Sequence, residues 1–158
     1  MDYVILYKSV SPIRLEGYTN VDWASYKDDR RFTSGYMFSL DNGIISWSIK
    51  KHLTVALSST EAEYKGASII ACEAVWLKRI FKDLGAPIKD LILLYCDKMS
   101  NIHLARNPVV HARTKHIELH YHFIRECVLA GDVDSQHIGT NLQKADIFTK
   151  ALGADKLQ

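Results

Sequence analysis

An α/β domain built on a mixed sheet (α+β in character), with helices packed against it, is the fold this sequence predicts, and three observations carry it. Two strand-like runs, TSGYMFSL and IISWSI, flank Asp41-Asn42-Gly43. Asn-Gly between such runs is the strongest short hairpin signal, because both residues tolerate positive φ. From Ser58 to Leu84 the apolar period becomes helical, with Ala67, Ile70, Ala71, Ala74, Leu77, Phe81 and Leu84 in one stripe. The continuous apolar run LILLYC (91–96) then has the length of an interior strand covered on both faces. Three antiparallel strands followed by alternating helices and strands make a mixed sheet with helices on it.

In order along the chain, the first strand lies in EGYTNVDW. Leu15, Gly17, Thr19, Val21 and Trp23 fall on one side of a period-2 pattern and Tyr18, Asn20 and Asp22 on the other. That pattern is expected of a strand covered on one face. A short amide and a short acid at alternate positions are poor strand formers, so their face is either a solvated edge or a site. Residues 16–49 read as three consecutive antiparallel strands. Gly85 and Pro87 stop the long helix. LILLYC ends on Asp97, and SNIHLARN is a short helix candidate ending before Pro108. Ile117, Tyr121, Ile124 and Val128 recur at helical spacing before Gly131; DVDSQHI reads as a last short strand and LQKADIFTKAL as a last helix. No repeat, low-complexity tract or obvious linker interrupts this order.

At 158 residues the chain has the length of one domain, and 47% hydrophobic with 24% charged residues is an ordinary globular composition. A net charge of +2 does not by itself identify a nucleic-acid partner. The local clusters Arg30-Arg31, Lys50-Lys51 and Arg113-Thr-Lys115-His116 are more informative, although each alone reads as a solvated face. Cys72, Cys96 and Cys127 are an odd set without CxxC spacing, as expected of reduced thiols. The start MDYVILYKSVSP lacks the basic-then-apolar form of a signal peptide. No apolar run approaches the roughly 20 residues a membrane span needs. An intracellular protein, cytoplasmic or nuclear and not secreted, is the expectation, with no membrane partner.

Polar residues occupy notable places: Asn20 and Asp22 on the first strand, Glu63 near the start of the long helix, Asp97 at the end of the central strand and Asp146 on the last helix. Asn20 shares a strand face with Asp22. Glu63 lies four residues before Ala67 and so continues the buried helical stripe. Thr60-x-x-Glu63 fits a capping box, which would give Glu63 a structural role, but Ser58-x-x-Glu61 fits equally and leaves Glu63 available. Asp97 closes the apolar strand at its carboxyl end, where open α/β sheets place ligands, though Asp also caps helices. Asp146 needs no special explanation in a first helical turn. Together, carboxylates converging at a sheet centre repel one another unless a cation neutralises them. Hard oxygen ligands suit Mg²⁺ or Mn²⁺, and two such ions can activate water for phosphodiester cleavage. HARTKHIELHYH has His116 and His120 at i, i+4, but Ile117 follows the first His where a zinc protease needs Glu. A solvated or phosphate-facing helix is the better reading there.

The segments GYTNVDWASYKDDRRFTSGYMFSL, SSTEAEY, LYCDKMSNIHLARNPVVHARTKHIE and ADIFTKAL closely resemble the RNase H region at the C-terminus of Copia-type LTR retrotransposon polyproteins. The resemblance runs from about residue 14 to the end and implies an RNase H-like domain over residues 14–152, between an extension 1–13 and a tail 153–158. It also implies hydrolysis of the RNA strand of an RNA–DNA hybrid by four acids and two Mg²⁺ (or Mn²⁺) ions, in a polyprotein that also carries a reverse transcriptase segment. Carried over by position, three of the acids match Glu63, Asp97 and Asp146, all metal ligands. The first acid, in a Ser/Thr-Asp-x-Asp-Trp-Ala stretch, falls on Asn20. Asn brings a neutral oxygen and an amide donor in place of a carboxylate. Asp22, two residues along the strand, is roughly 6.6 Å away. Impaired catalysis and weakened metal binding follow as the expectation. Lys98 after Asp97, His120 where Asp is common, and Asn101 where Ala is common depart from the family in the same direction. Counting the integrase spacing from Asp97 lands on Val133, so that sister class is disfavoured.

Three functions are compatible with these residues. One is a metal-dependent endonuclease on hybrid, impaired at Asn20. Another is a module that grips hybrid through Arg30, Arg31, Lys50, Lys51, Arg113 and Lys115 without cutting. The third is a structural polyprotein fragment in which Trp23, Trp47 and Trp76 are core.

Overall fold

The hairpin is tighter than the sequence predicts. Leu40 pairs with Gly43, so the two-residue loop is Asp41-Asn42 and Gly43 already belongs to the strand. Asp41 takes the positive φ (50°), and its N–H donates to the Arg14 carbonyl at 2.9 Å. Asp tolerates this region because its short side chain can bond locally. The structure, a computed structural model, describes residues 14–23, 31–97 and 115–150.

Strands β1 (Leu15–Asp22), β2 (Arg31–Leu40) and β3 (Gly43–Val55) form the antiparallel meander. Helix α1 (Ser59–Asp83) follows, then β4 (Ile92–Cys96), α2 (Lys115–Leu129) and β5 (Val133–His137). The sheet order is β3-β2-β1-β4-β5, with β4 parallel to both β1 and β5. This is the mixed five-stranded sheet the sequence predicts, and β3 runs six residues past Ile49. Helix α1 starts on Ser58, whose Oγ accepts the Glu61 N–H at 3.1 Å, while Glu61 Oε2 accepts the Leu57 N–H at 2.8 Å. The Ser58/Glu61 alternative therefore forms the helix start. At the other end Gly85 takes φ 77° just past the Leu84 cap, a conformation glycine adopts without Cβ strain.

One sheet face packs on α1 around Phe38, Ile70, Ala71, Ala74, Leu77, Ile92 and Leu94. Phe81 sits at the rim of this cluster and Leu84 is exposed, so the stripe fades towards the C-terminus. Helix α2 lies on α1, with Tyr64 edge-on to Tyr121 at 6.3 Å between ring centres. The opposite face is covered too. Where the sequence predicts one last helix, the chain forms two short 3-10 turns, Thr140–Leu142 and Lys144–Phe148, separated by Gln143. Tyr18, Met37 and Ala145 form a second small core there, flanked by Tyr95, Ile138 and Phe148. Strand β1 is thus buried on both faces, not one.

The three tryptophans are not core: Trp23, Trp47 and Trp76 are 37%, 63% and 53% exposed. Cys72, Cys96 and Cys127 are free thiols, as expected. Among the described residues no helix is long and apolar enough to cross a membrane. The short helix expected in SNIHLARN lies outside the described residues.

Two histidines are expected to make the fold acid-sensitive. His52 stacks on Phe32 at 4.1 Å and shares a 2.7 Å hydrogen bond with Ser34 Oγ. Burial, then the charges of Lys50 and Lys65, push its pKa below the ordinary 6.5. His120 Nδ1 lies 2.8 Å from Ser68 Oγ and is lowered by burial and Lys65, against a smaller opposing effect of Glu61. Above the ordinary pKa both states are neutral. Below it the unfolded chain binds protons that the fold resists, so stability falls as pH drops from about 6.5 through the lowered folded values. The urea midpoint is expected to fall between about pH 7 and pH 5, and by less in His52→Gln. An equal fall in that variant would remove His52 from the account.

Candidate functional site

Strand alternation sends Gly17 and Val21 towards α1, where the Gly17 Cα position faces Ile70 and Val21 lies against Gly66. Asn20 therefore points the other way, to the 3-10 segment. It is 3% exposed, and its Nδ2 donates to Asp146 Oδ1 and to Thr149 Oγ1, both at 2.7 Å. Only the amide nitrogen can donate to a carboxylate, which fixes the orientation of the side chain. Asp146, 2% exposed, also receives Lys150 Nζ on Oδ1 at 2.9 Å and on Oδ2 at 3.0 Å. Gln143 anchors the same segment. Its Nε2 donates to the Thr19 carbonyl on β1 at 3.1 Å, and its Oε1 accepts the Ala145 N–H at 3.1 Å.

Asn20 and Asp146, 126 residues apart in sequence, are thus in contact. Asp97 is close by register: Thr19 pairs with Cys96, which sets Asp97 level with Asn20 on the adjacent parallel strand. Its carbonyl meets His137 Nε2 at 3.1 Å. Glu63 is 5% exposed on α1, one turn before the Gly66–Val21 contact, and so lies over the opposite sheet face at the same end. Asp22, half-buried at the end of β1, pairs with Thr33. Among the described residues no three Asp, Glu, His or Cys side chains form a group that could hold a metal ion.

The basic residues divide. Arg31 opens β2, and Lys50 and Lys51 are exposed on edge strand β3, paired with Ser34 and Thr33. These three share the end of the sheet that bears Asn20 and Asp97. Lys115 is the first residue of α2. Arg30 and Arg113, with Lys98 and Asn101, lie outside the described residues.

Divalent hard ions bind oxygen acceptors. Here Asn20 turns a donor towards Asp146, and Lys150 already holds both carboxylate oxygens. As arranged, these groups do not fit such an ion. The sequence reading missed Gln143, Thr149 and Lys150. Lys150 stands i, i+4 from Asp146, the one legible signal among them. Gln143 and Thr149 have no local signature, since their partners lie on distant strands.

No protein-family model matches the chain. Over 144 residues it is 43% identical to the retrovirus-related Pol polyprotein from transposon TNT 1-94 of Nicotiana tabacum, covering 91% of the chain and 11% of that protein. Over 151 residues it is 40% identical to the Pol polyprotein from transposon RE2 of Arabidopsis thaliana, covering 96% of the chain and 10% of the relative. The chain therefore spans about a tenth of the length of these Pol polyproteins. Among solved structures, RNase H1 of Halobacterium salinarum NRC-1 superposes with TM-score 0.59 at 17% identity, covering 85% of this chain and 93% of that one. The foamy viral protease-reverse transcriptase in complex with RNA/DNA hybrid gives TM-score 0.58 at 11% identity, covering 94% of this chain and 21% of that one. At these identities the likeness shows the fold. The sequence relatives make this chain a homologue of the retrovirus-related Pol polyproteins of plant transposons, over a segment whose sheet order and fold are those of RNase H.

Proposed function

We propose that residues 14–152 form the RNase H module of a Pol polyprotein, holding RNA–DNA hybrid beside the parent's reverse transcriptase segment inside the cell, and that Asn20 impairs cleavage of the RNA strand. The observation that carries this reading is the Asn20–Asp146 contact. The family's first and last acid positions meet, as a nuclease centre requires, but with an amide in place of one carboxylate. Asp97 beside them, and Glu63 at the same sheet end, are the remaining positions of that centre. In the family they hold two Mg²⁺ (or Mn²⁺) ions, whose binding is weakened here. Arg31, Lys50 and Lys51 at that end favour contact with phosphates, which is salt-dependent and largely blind to sequence. Arg30, Arg113 and Lys115 are proposed from the sequence as further phosphate contacts.

Cleavage of an end-labelled hybrid in Mg²⁺ and in Mn²⁺ tests the reading. Asn20→Asp is expected to cut on the order of 10²-fold faster than the unmodified protein, the scale of restoring one centrally placed charged group. Chelator should abolish that gain. Lys51→Ala should leave binding largely intact but lower the slope of log affinity against log salt by about 1. Efficient cutting by the unmodified protein would refute the impairment, and hybrid binding that is insensitive to salt would refute the phosphate-gripping role.

A further inference from the structure

We propose that the carboxyl end of β1 is a cation-independent latch, in which the Lys150 ammonium neutralises Asp146 and the Asn20 amide ties that pair to the sheet. Both oxygens of the Asp146 carboxylate have donors, and its charge is matched, without any added ion. Asp146 is a buried carboxylate, and such a group needs compensation by charge and hydrogen bonds. It receives one full positive charge from Lys150, spread over both oxygens, and one neutral donor from Asn20. The Asn20 amide has two N–H groups and two acceptors, Asp146 Oδ1 and Thr149 Oγ1. An aspartate at position 20 would bring no such donor. It would set a second carboxylate against the first, a pair that stays charged only with a cation between.

The latch holds a defined piece of chain. Residues 143–150 are fixed at one end by Gln143 on the Thr19 carbonyl and in the middle by Phe148 against Gly35. Asn20 and Lys150 secure the other end. Within it, the Asp146 N–H donates to the Gln143 carbonyl, and the Thr149 and Lys150 N–H groups donate to the Asp146 carbonyl. These amides report directly on whether the segment is closed. The latch goes beyond the hydrolytic reading and does not rest on it: a chain that never touches hybrid would still need this network to cover its sheet.

The test is thermal unfolding of the full chain in chelator and in rising Mg²⁺, with amide hydrogen exchange over residues 143–150. The unmodified protein is expected to keep its Tm within about 1 °C across the titration, since an ion stabilises only a fold that binds it. Asn20→Asp is expected to lose about 5–10 °C in chelator and to recover part of that loss saturably with Mg²⁺. Lys150→Met, at a partly exposed position, is expected to speed exchange of the Asp146, Thr149 and Lys150 amides about tenfold or more while β1 stays protected. Lys150→Met keeps the question decidable if Asn20→Asp does not fold. A saturable Mg²⁺-dependent rise in Tm of the unmodified protein would overturn the proposal. So would unchanged exchange in Lys150→Met, or an Asn20→Asp that is as stable in chelator as its parent.

Discussion

Phe38→Ala is expected to be the most damaging single core change, costing about 3–5 kcal/mol and lowering Tm by roughly 10 °C. Phe38 is fully buried near the carboxyl end of β2. Its ring fills the space above Gly17, where a Cβ would come within 2.8 Å of it, and Tyr36 meets it edge-on at 6.0 Å. Removing the ring opens a cavity between β1, β2 and α1 that none of these elements can collapse, because each is held by its own backbone ladder. Urea unfolding followed by circular dichroism should show a lower midpoint with an unchanged slope. A loss below about 1 kcal/mol would mean that α1 is not seated on this ring.

Gly35→Val is expected to be the most damaging change to the site while leaving the sheet in place. A Cβ at position 35 would lie 2.6 Å from Phe148 Cβ and 3.2 Å from Thr149 Cγ2. The nearer atom is fixed to the backbone, so rotamer adjustment gives no relief and the 3-10 segment must lift from β2. Lifting it draws Asp146 and Thr149 away from Asn20, which pairs with Gly35 across the ladder. Overpacking of this kind costs about 1–3 kcal/mol, and the separated, buried polar groups add to that. Fast amide exchange over residues 144–150 with strand amides still protected is the expected signature. Retained protection there would show that Phe148 does not rest on Gly35.

Much of the architecture is legible in local pattern. Helix α1 was legible because its signals are all within a turn or two, a stripe at 3.6-residue spacing and Gly85 at the stop, while its start lay open between Thr60/Glu63 and Ser58/Glu61 until the structure chose the latter. The hairpin was legible in kind but one residue out in register, since Asp41 takes the αL position in place of the Asn-Gly pair. The segment LQKADIFTKAL reads as a helix by composition. Its described part, with Thr140 and Asn141 before it, forms two 3-10 turns because Gln143 is drawn onto the Thr19 carbonyl, a partner 124 positions away. Trp47 and Trp76 look like core by residue type, yet they stand on an edge strand and an outward helix face.

The sequence by itself determined the resemblance to Pol polyproteins, the order of the elements and the presence of an amide at position 20. Each of these depends on residue identity or on spacing within one element. Only the tertiary structure decided what that amide does. Asn20 and Asp146 are brought together by the parallel crossovers through β4 and β5 and by the return of the chain over the second sheet face. Lys150 then completes the neutralisation from one turn beyond Asp146. Contacts between residues so far apart follow from the packing of whole elements, and no local pattern of side chains encodes them.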